Sequence, residues 1–195
     1  MEKTEYPKIA FDIDGVIANI FPRTMRLLGK ITGRKLNPPT TYYFDAELDI
    51  ERKIVRGAFN QVIFDWTTEE VMEFAIDLIH HYHWKTKRKI FFITNRPRSL
   101  ETETRQFLTM AIPGIPFEVT FVPHGDSKIS ILNSYKILVD DRRQTALEAE
   151  AAGIIAIMPE TTYNKLPKPE DHPRIFRIKN RPEKLIEYLI DKCQI

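Results

Sequence analysis

At 195 residues, with 43% hydrophobic and 29% charged side chains, the chain has the length and balance of one globular domain, or of one domain carrying a sizeable insertion. A net charge of +2 supplies no global field for an anionic membrane or an extended nucleic-acid surface, so an anionic substrate needs a local positive pocket. The lone cysteine, Cys193, excludes an internal disulfide and a zinc cluster, Met1 to Glu5 lack the apolar centre of a secretory signal, and no apolar run approaches a membrane span, so a cytoplasmic protein without membrane contact is expected.

Lys8 to Ile17 is the first informative stretch. Ile9, Ala10, Phe11 and Ile13 form the short apolar run expected of a strand covered on both faces by helices. Asp12 and Asp14 interrupt it, and two carboxylates at the end of a core strand must be solvated at a cleft, paired with cations or bound to metal. Gly15 supplies the backbone freedom for a sharp exit; an ordinary Asp-Gly turn would leave the same trace.

Residues 18–86 return late to strand-like sequence. Helical spacing runs from Phe21 to Lys30, with Pro22 suited to a first turn, and Asn37-Pro38-Pro39-Thr40 ends it. Asp45 to Arg56 is charged, with Leu48, Ile54 and Val55 as apolar points. Thr67-Thr68-Glu69-Glu70 has the form of a capping box, and the helix it begins is predicted to run to about Tyr82. The segment reads as a small helical insertion rich in aromatics, some of them suited to a planar ligand. His80, His81 and His83 cannot all share one helix face and read as solvated, as does the basic turn from Lys85 to Lys89.

Strands and helices then alternate. Strands are predicted at Lys89–Thr94, Phe117–Val122, Lys136–Val139 and Gly153–Met158, with an edge strand at Phe176–Ile178. Helices are predicted from Ser99 to Met110, around Ala146 to Ala152, and from Pro182 to Lys192, and Pro-rich residues 159–174 read as an extended surface loop. The pattern predicts a Rossmann-like, doubly wound parallel α/β sheet, whose ligands sit beyond the carboxyl ends of the strands. Asp12 and Asp14, Thr94 and Asn95, Lys128, and Asp140 and Asp141 all fall in such positions. Carboxylates on neighbouring loops make a hard-oxygen site for Mg²⁺, while Lys128, Thr94 and the backbone amides of Asn95 and Arg96 would hold phosphate oxygens. In such a site a carboxylate can attack phosphorus to form an aspartyl-phosphate, and a second can protonate the leaving alcohol and later activate water.

Asp12-x-Asp14-Gly15-Val16, Thr94, Lys128 and Asp140-Asp141, in that order, resemble the four motifs of the haloacid dehalogenase superfamily of phosphohydrolases. The resemblance implies Asp12 as nucleophile, Asp14 as general acid/base and main-chain metal ligand, Thr94 and Lys128 as phosphate ligands, and Asp140 and Asp141 as completing a Mg²⁺ site. It also implies a catalytic core of residues 1–17 and 87–195 with a mainly helical cap, 18–86, inserted after the first strand. The motif order separates the chain from receiver-type signalling domains, in which the acidic pair comes first and the lysine last. A finer similarity, carried by Asp12 to Phe21, Thr104 to Leu108 and Leu138 to Arg142, is to the 5'(3')-deoxyribonucleotidase branch. That branch holds the base with cap aromatics, which makes Ile20, Phe21, Phe44 and Trp66 the candidate substrate pocket; Ile20 then Phe21 stand where the branch places an aromatic. The expected partner is a small phosphorylated substrate, foremost a nucleotide, with a homodimer left open. Sugar phosphates, nucleic-acid 3'-phosphate ends, and a catalytically silent interaction role are the competing readings.

Overall fold

The computed structural model describes residues 6–66, 70–166 and 168–178. Its centre is a parallel sheet of six strands, β1 (Ile9–Phe11), β2 (Ile90–Thr94), β3 (Phe117–Phe121), β4 (Ile137–Val139), β5 (Ile155–Pro159) and β6 (Ile175–Ile178), in the order β3-β2-β1-β4-β5-β6. The expected doubly wound α/β architecture is therefore the one observed. Strand β1 pairs with β2 on one side, Phe11 beside Phe92, and with β4 on the other, Phe11 beside Val139. The chain thus builds outward from β1 to β3, then crosses back to start again at β4. Such a reversal opens a crevice at the carboxyl ends of the two central strands.

The alternation of side chains explains why the central strands are apolar throughout. Phe11, Phe92, Ile137 and Val139 point to one face, where they pack with Leu78, Ile79, Phe107 and Leu108. Ala10, Ile93, Leu138 and Ala156 point to the other, against Ala146 and Ala149. A parallel sheet covered on both faces has no solvent side, so the period-2 polar pattern of an exposed sheet is absent.

Among the described residues, four α-helices follow β1 before the chain reaches β2: α1 (Ile20–Thr32), α2 (Phe44–Glu47), α3 (Arg52–Phe64) and α4 (Glu73–Thr86). Helix α1 matches the expected span and ends at Gly33 in a left-handed conformation, φ 66°. Thr67, Thr68 and Glu69 of the expected capping box lie outside the described residues, and α4 starts at Glu73 after an extended Met72. Leu28, Phe44, Leu48, Ile50, Val55 and Ala58 make a separate small core for α1 to α3. Helix α4 lays Ala75, Leu78 and Ile79 into the sheet's own cluster, which Ile20 of α1 and Val62 and Ile63 of α3 also join. Entry to and exit from the insertion run side by side: Met72 N–H donates to Ile17 O at 2.9 Å, and Asn19 N–H to Glu70 O at 2.7 Å.

Helix α5 (Glu101–Ala111) links β2 to β3, and α6 (Arg143–Ala151) links β4 to β5. The predicted helix over 182–192 and Cys193 lie outside the described residues. Most described residues of 159–174 are exposed, as expected of a surface loop, but Asn164 and Leu166 turn inward. Asn164 is fully buried and Leu166 is 6% exposed, because the Asn164 amide donates to Asp141 O at 2.9 Å and to Pro159 O at 2.6 Å. A polar side chain that satisfies two carbonyls can turn a short irregular stretch inward between β5 and the 3-10 turn Pro169–Asp171. No helix among the described residues is long and apolar enough to cross a membrane.

Candidate active site

The ends of β1 and β4 carry the site. Asp12 N–H donates to Val139 O at 2.8 Å and Asp140 N–H to Ile157 O at 3.0 Å, so the sheet's hydrogen bonding continues into both residues and fixes where their side chains emerge. Lys128 opens a short 3-10 turn, Lys128–Ile131, capped by Ser127, whose hydroxyl accepts from Ile129 N–H at 3.3 Å. That turn aims the Lys128 ammonium between two carboxylates, 2.8 Å from Asp12 Oδ1 and 2.8 Å from Asp140 Oδ2. Asp12, Asp140 and Asp141 can each place an oxygen within 4.8 Å of the others, and all three are buried.

The charges do not balance in this arrangement. Three carboxylates face one lysine, an excess of two negative charges when all are ionised. Burial pushes the Asp12 carboxyl up to about 7, against the opposing pull of Lys128. Burial, with Asp140 and Asp12 close by, likewise raises Asp141 well above the ordinary carboxylate range. Burial works against the Lys128 ammonium, but Asp12 and Asp140 outweigh it and push its pKa up, so the lysine stays charged. A dication coordinated by carboxylate oxygens would cancel the excess, and the donor set of hard oxygens suits Mg²⁺. The residues present therefore fit the metal that the sequence leads one to expect.

Gly15 makes the approach of Asp141 feasible. Its φ is +77°, and a Cβ there would stand 2.1 Å from Asp141 Oδ2. Gly15→Ala should destabilise the fold by more than the about 1 kcal/mol of left-handed strain, since the methyl needs space the carboxylate occupies. It should also shrink the rise in melting temperature caused by Mg²⁺; thermal unfolding with and without the ion checks both.

The remaining predicted residues divide into two groups. Thr94 is 1% exposed at the end of β2, and its hydroxyl accepts from Arg96 N–H at 3.1 Å. The Asn95 side chain turns to the carbonyls of Val122 and Pro123, 3.3 and 3.4 Å away. Asp14 stands apart from the three-carboxylate cluster, with its carboxylate held by the Arg96 guanidinium. In the insertion, Phe21 lines a cavity of about 280 Å³ with Met25, Leu36, Pro38 and Met72, bordered by Gly15 and Tyr163. Phe44 packs edge-on behind Phe21, ring centres 5.5 Å apart. Ile20 and Trp66 line a different, smaller space beside Arg96 and Phe107.

Several residues at the site are absent from the sequence-based set. The Tyr163 hydroxyl donates to Asp141 Oδ2 at 2.6 Å, and burial together with that carboxylate raises its pKa. Tyr163 also meets Phe21 at 5.1 Å and Tyr42 at 6.2 Å between ring centres. Arg142 donates to the Tyr43 hydroxyl at 2.8 Å and lies 5.1 Å from the Tyr42 ring centre, while the Thr162 hydroxyl donates to Pro39 O at 2.8 Å. Residues 39–43 of the insertion are thus fastened to the loops that follow β4 and β5. The position of Tyr163 just past β5, on the same edge of the sheet as the motifs, is the one sequence signal that could have marked it.

No protein-family model matches the chain, and no curated protein matches it in sequence. Solved structures do match it in fold. A haloacid dehalogenase hydrolase of family IA, variant 3, from Entamoeba histolytica superposes with a TM-score of 0.62 at 14% identity, over 97% of this chain and 100% of its own. A protein from Bacteroides vulgatus, assigned as a β-phosphoglucomutase, gives 0.61 at 15% identity over 99% and 90%. A haloacid dehalogenase-like family hydrolase from Streptococcus pneumoniae gives 0.59 at 14% over 95% and 99%. At these identities the likeness is one of fold, and the chain has the α/β fold of haloacid dehalogenase-like hydrolases.

Proposed function

We propose that the protein is a Mg²⁺-dependent phosphomonoester hydrolase working through an aspartyl-phosphate, with nucleoside monophosphates as its substrates. The observation that carries this reading is the Lys128 ammonium set 2.8 Å from both Asp12 and Asp140, with Asp141 in the same buried group, at the crevice between β1 and β4. The site combines a nucleophilic carboxylate, a fixed cation and a surplus of hard-oxygen donors, which is the set that transfer of a dianionic phosphoryl group requires.

In the proposed reaction an Asp12 carboxylate oxygen attacks phosphorus, the bond to the leaving oxygen breaks, and Asp14 gives that oxygen its proton. Water then attacks phosphorus of the aspartyl-phosphate, Asp14 takes a proton from it, and inorganic phosphate leaves with Asp12 restored. Thr94, Lys128 and the main chain at Asn95 and Arg96 bind the phosphoryl oxygens. Asp12, Asp140, Asp141 and the Asp14 carbonyl would hold Mg²⁺, which supplies charge neutralisation for the phosphoryl group. The helices within 18–86 act as the cap. Helices α1 to α3, which share the core of Leu28, Phe44, Leu48, Ile50, Val55 and Ala58, form the part that closes, entered and left where residues 17–19 run beside 70–72.

The nucleotide preference is supported by the cavity beside Gly15. Phe21, Pro22, Met25, Leu36, Pro38 and Met72 supply apolar surface, and the lining carries no charged side chain. Such a wall suits the face of a base, and Asn19, Thr161, Thr162 and Tyr163 in the same lining are hydrogen-bonding groups for its edge. Sugar phosphates are the second reading, favoured by the fold shared with the Bacteroides vulgatus protein. Phosphate release is to be measured on nucleoside and deoxynucleoside 5'- and 3'-monophosphates, sugar phosphates and a 3'-phosphorylated oligonucleotide, with Mg²⁺ and with chelator. Release confined to nucleotides and abolished by chelator is expected. Preference for sugar phosphates keeps the mechanism and replaces the substrate; no release from folded protein overturns the enzyme reading.

A further inference from the structure

Two cations divide three of the four carboxylates at this site, and the fourth, Asp141, accepts from the Tyr163 hydroxyl. Lys128 serves Asp12 and Asp140, while Arg96, two residues past β2, serves Asp14 alone. Arg96 Nε lies 3.0 Å from both Asp14 oxygens, and its Nη2 donates to Oδ1 as well. Resting on the phosphatase reading above, we infer that Arg96 is the positioning residue for Asp14, holding its carboxylate away from the metal-ligand cluster and aimed at the leaving group.

The guanidinium is itself fixed before it meets Asp14. Its side chain is 2% exposed against 26% for that of Asp14. Nη1 donates to the Thr104 hydroxyl of α5 at 3.2 Å, the guanidinium sits 5.7 Å from the Phe107 ring centre, and the Arg96 backbone N–H is tied to Thr94 at 3.1 Å. The buried partner is therefore the anchor, and the more exposed carboxylate is what it holds. A fork of two donors fixes both the place and the plane of a carboxylate, which a lysine cannot do. Asp14 Oδ1 receives Nε and Nη2, whereas Oδ2 receives Nε alone. Oδ2 consequently keeps capacity for one more bond. It is the oxygen that carries the proton in the acid form of Asp14 and gives it to the departing alkoxide as the phosphorus–oxygen bond breaks, leaving the carboxylate paired with Arg96.

This assignment separates positioning from phosphate binding and from general structural support through the leaving group. An alkyl phosphate needs its leaving oxygen protonated, whereas 4-nitrophenolate leaves without a proton. The ratio kcat/KM reports only the steps through departure of the leaving group, so later hydrolysis of the aspartyl-phosphate does not mask the effect. Wild type, Arg96→Gln, Arg96→Lys and Thr104→Val are to be compared on the best nucleotide substrate and on 4-nitrophenyl phosphate at saturating Mg²⁺. Arg96→Gln should lose about a hundredfold on the nucleotide, in the range of a general-acid contribution. That loss should exceed its loss on 4-nitrophenyl phosphate by about tenfold or more. Arg96→Lys should show the same skew, because it keeps the charge and lacks the fork. Thr104→Val, which touches neither substrate nor Asp14, should show a smaller skew in the same direction and keeps the test available if Arg96→Gln does not fold. Equal losses on both substrates, or full activity in Arg96→Lys, would overturn the inference while leaving the phosphatase reading in place. A wild type inactive on every ester would overturn both.

Discussion

Replacing Asp12 by Asn is expected to give a folded protein whose turnover is lower by about 10⁴-fold or more, the scale on which removal of a nucleophile acts. The Asp12 side chain is 9% exposed and is met by Lys128 at 2.8 Å. An Asn oxygen can accept that hydrogen bond in the same volume, but an amide cannot form the aspartyl-phosphate. Stability should not suffer in metal-free protein. Burial pushes the Asp12 carboxyl up to about 7, which means the folded state disfavours its ionised form. A neutral isostere relieves that cost above the titration, so at pH 8 the variant should melt no lower than wild type. With Mg²⁺ the order should reverse, because one of the oxygen ligands is weakened. Turnover on the best substrate and melting curves with and without Mg²⁺ check these expectations. Activity within tenfold of wild type would remove the nucleophile assignment, and failure to fold would give Asp12 a structural role.

Lys128→Met should be the more damaging substitution to the fold. It leaves Asp12, Asp140 and Asp141 buried together without the ammonium that contacts two of them. Removing one partner of a buried ion pair costs about 3–5 kcal/mol, and part of that would be recovered by proton uptake. The deficit should therefore depend on pH. A carboxyl whose folded pKa stands above its unfolded value loses stability as pH rises between the two, for Asp12 from the ordinary 3.8 to about 7 with Lys128 in place. Without the lysine the upper end moves higher still. The Asp12 contribution in the wild type then levels off near neutrality while that in the variant continues, so the gap should be smaller near pH 5 than near pH 8. Denaturant midpoints in chelator at the two pH values measure it. An equal gap at both would mean that Lys128 does not offset the carboxylates.

Much of the site could be located from local pattern. Asp12, Thr94 and Asp140 each end or immediately follow an apolar run, and a run of that length covered on both faces has one solvent-reaching end at which a polar side chain can act. Lys128 was less obvious as a residue type, since lysines are common on surfaces; its burial comes from the turn that Ser127 caps. The candidate pocket was only partly legible. Ile20 and Phe21 are adjacent in the chain, yet they lie about 100° apart around α1, so Phe21 meets the cavity beside Gly15 while Ile20 packs toward Arg96. Trp66, two residues past the end of α3, joins Ile20 in that second space. Tyr163 lay hidden because prolines flank it and mark the segment as irregular without indicating which side it turns to.

The sequence by itself determined the alternation of strands and helices, the doubly wound sheet, and which polar residues stand at strand ends. These are consequences of period, burial and loop chemistry within about ten residues of each position. Tertiary structure alone decided how the charges pair. Asp14 and Arg96 are 82 positions apart, Asp12 and Lys128 more than a hundred, and Tyr163 meets Asp141 across the turn that follows β5. Sheet order brings those side chains together. Once buried in a region of low dielectric, charges must find partners, and which partner each one finds depends on distances of a few ångströms that no local pattern encodes.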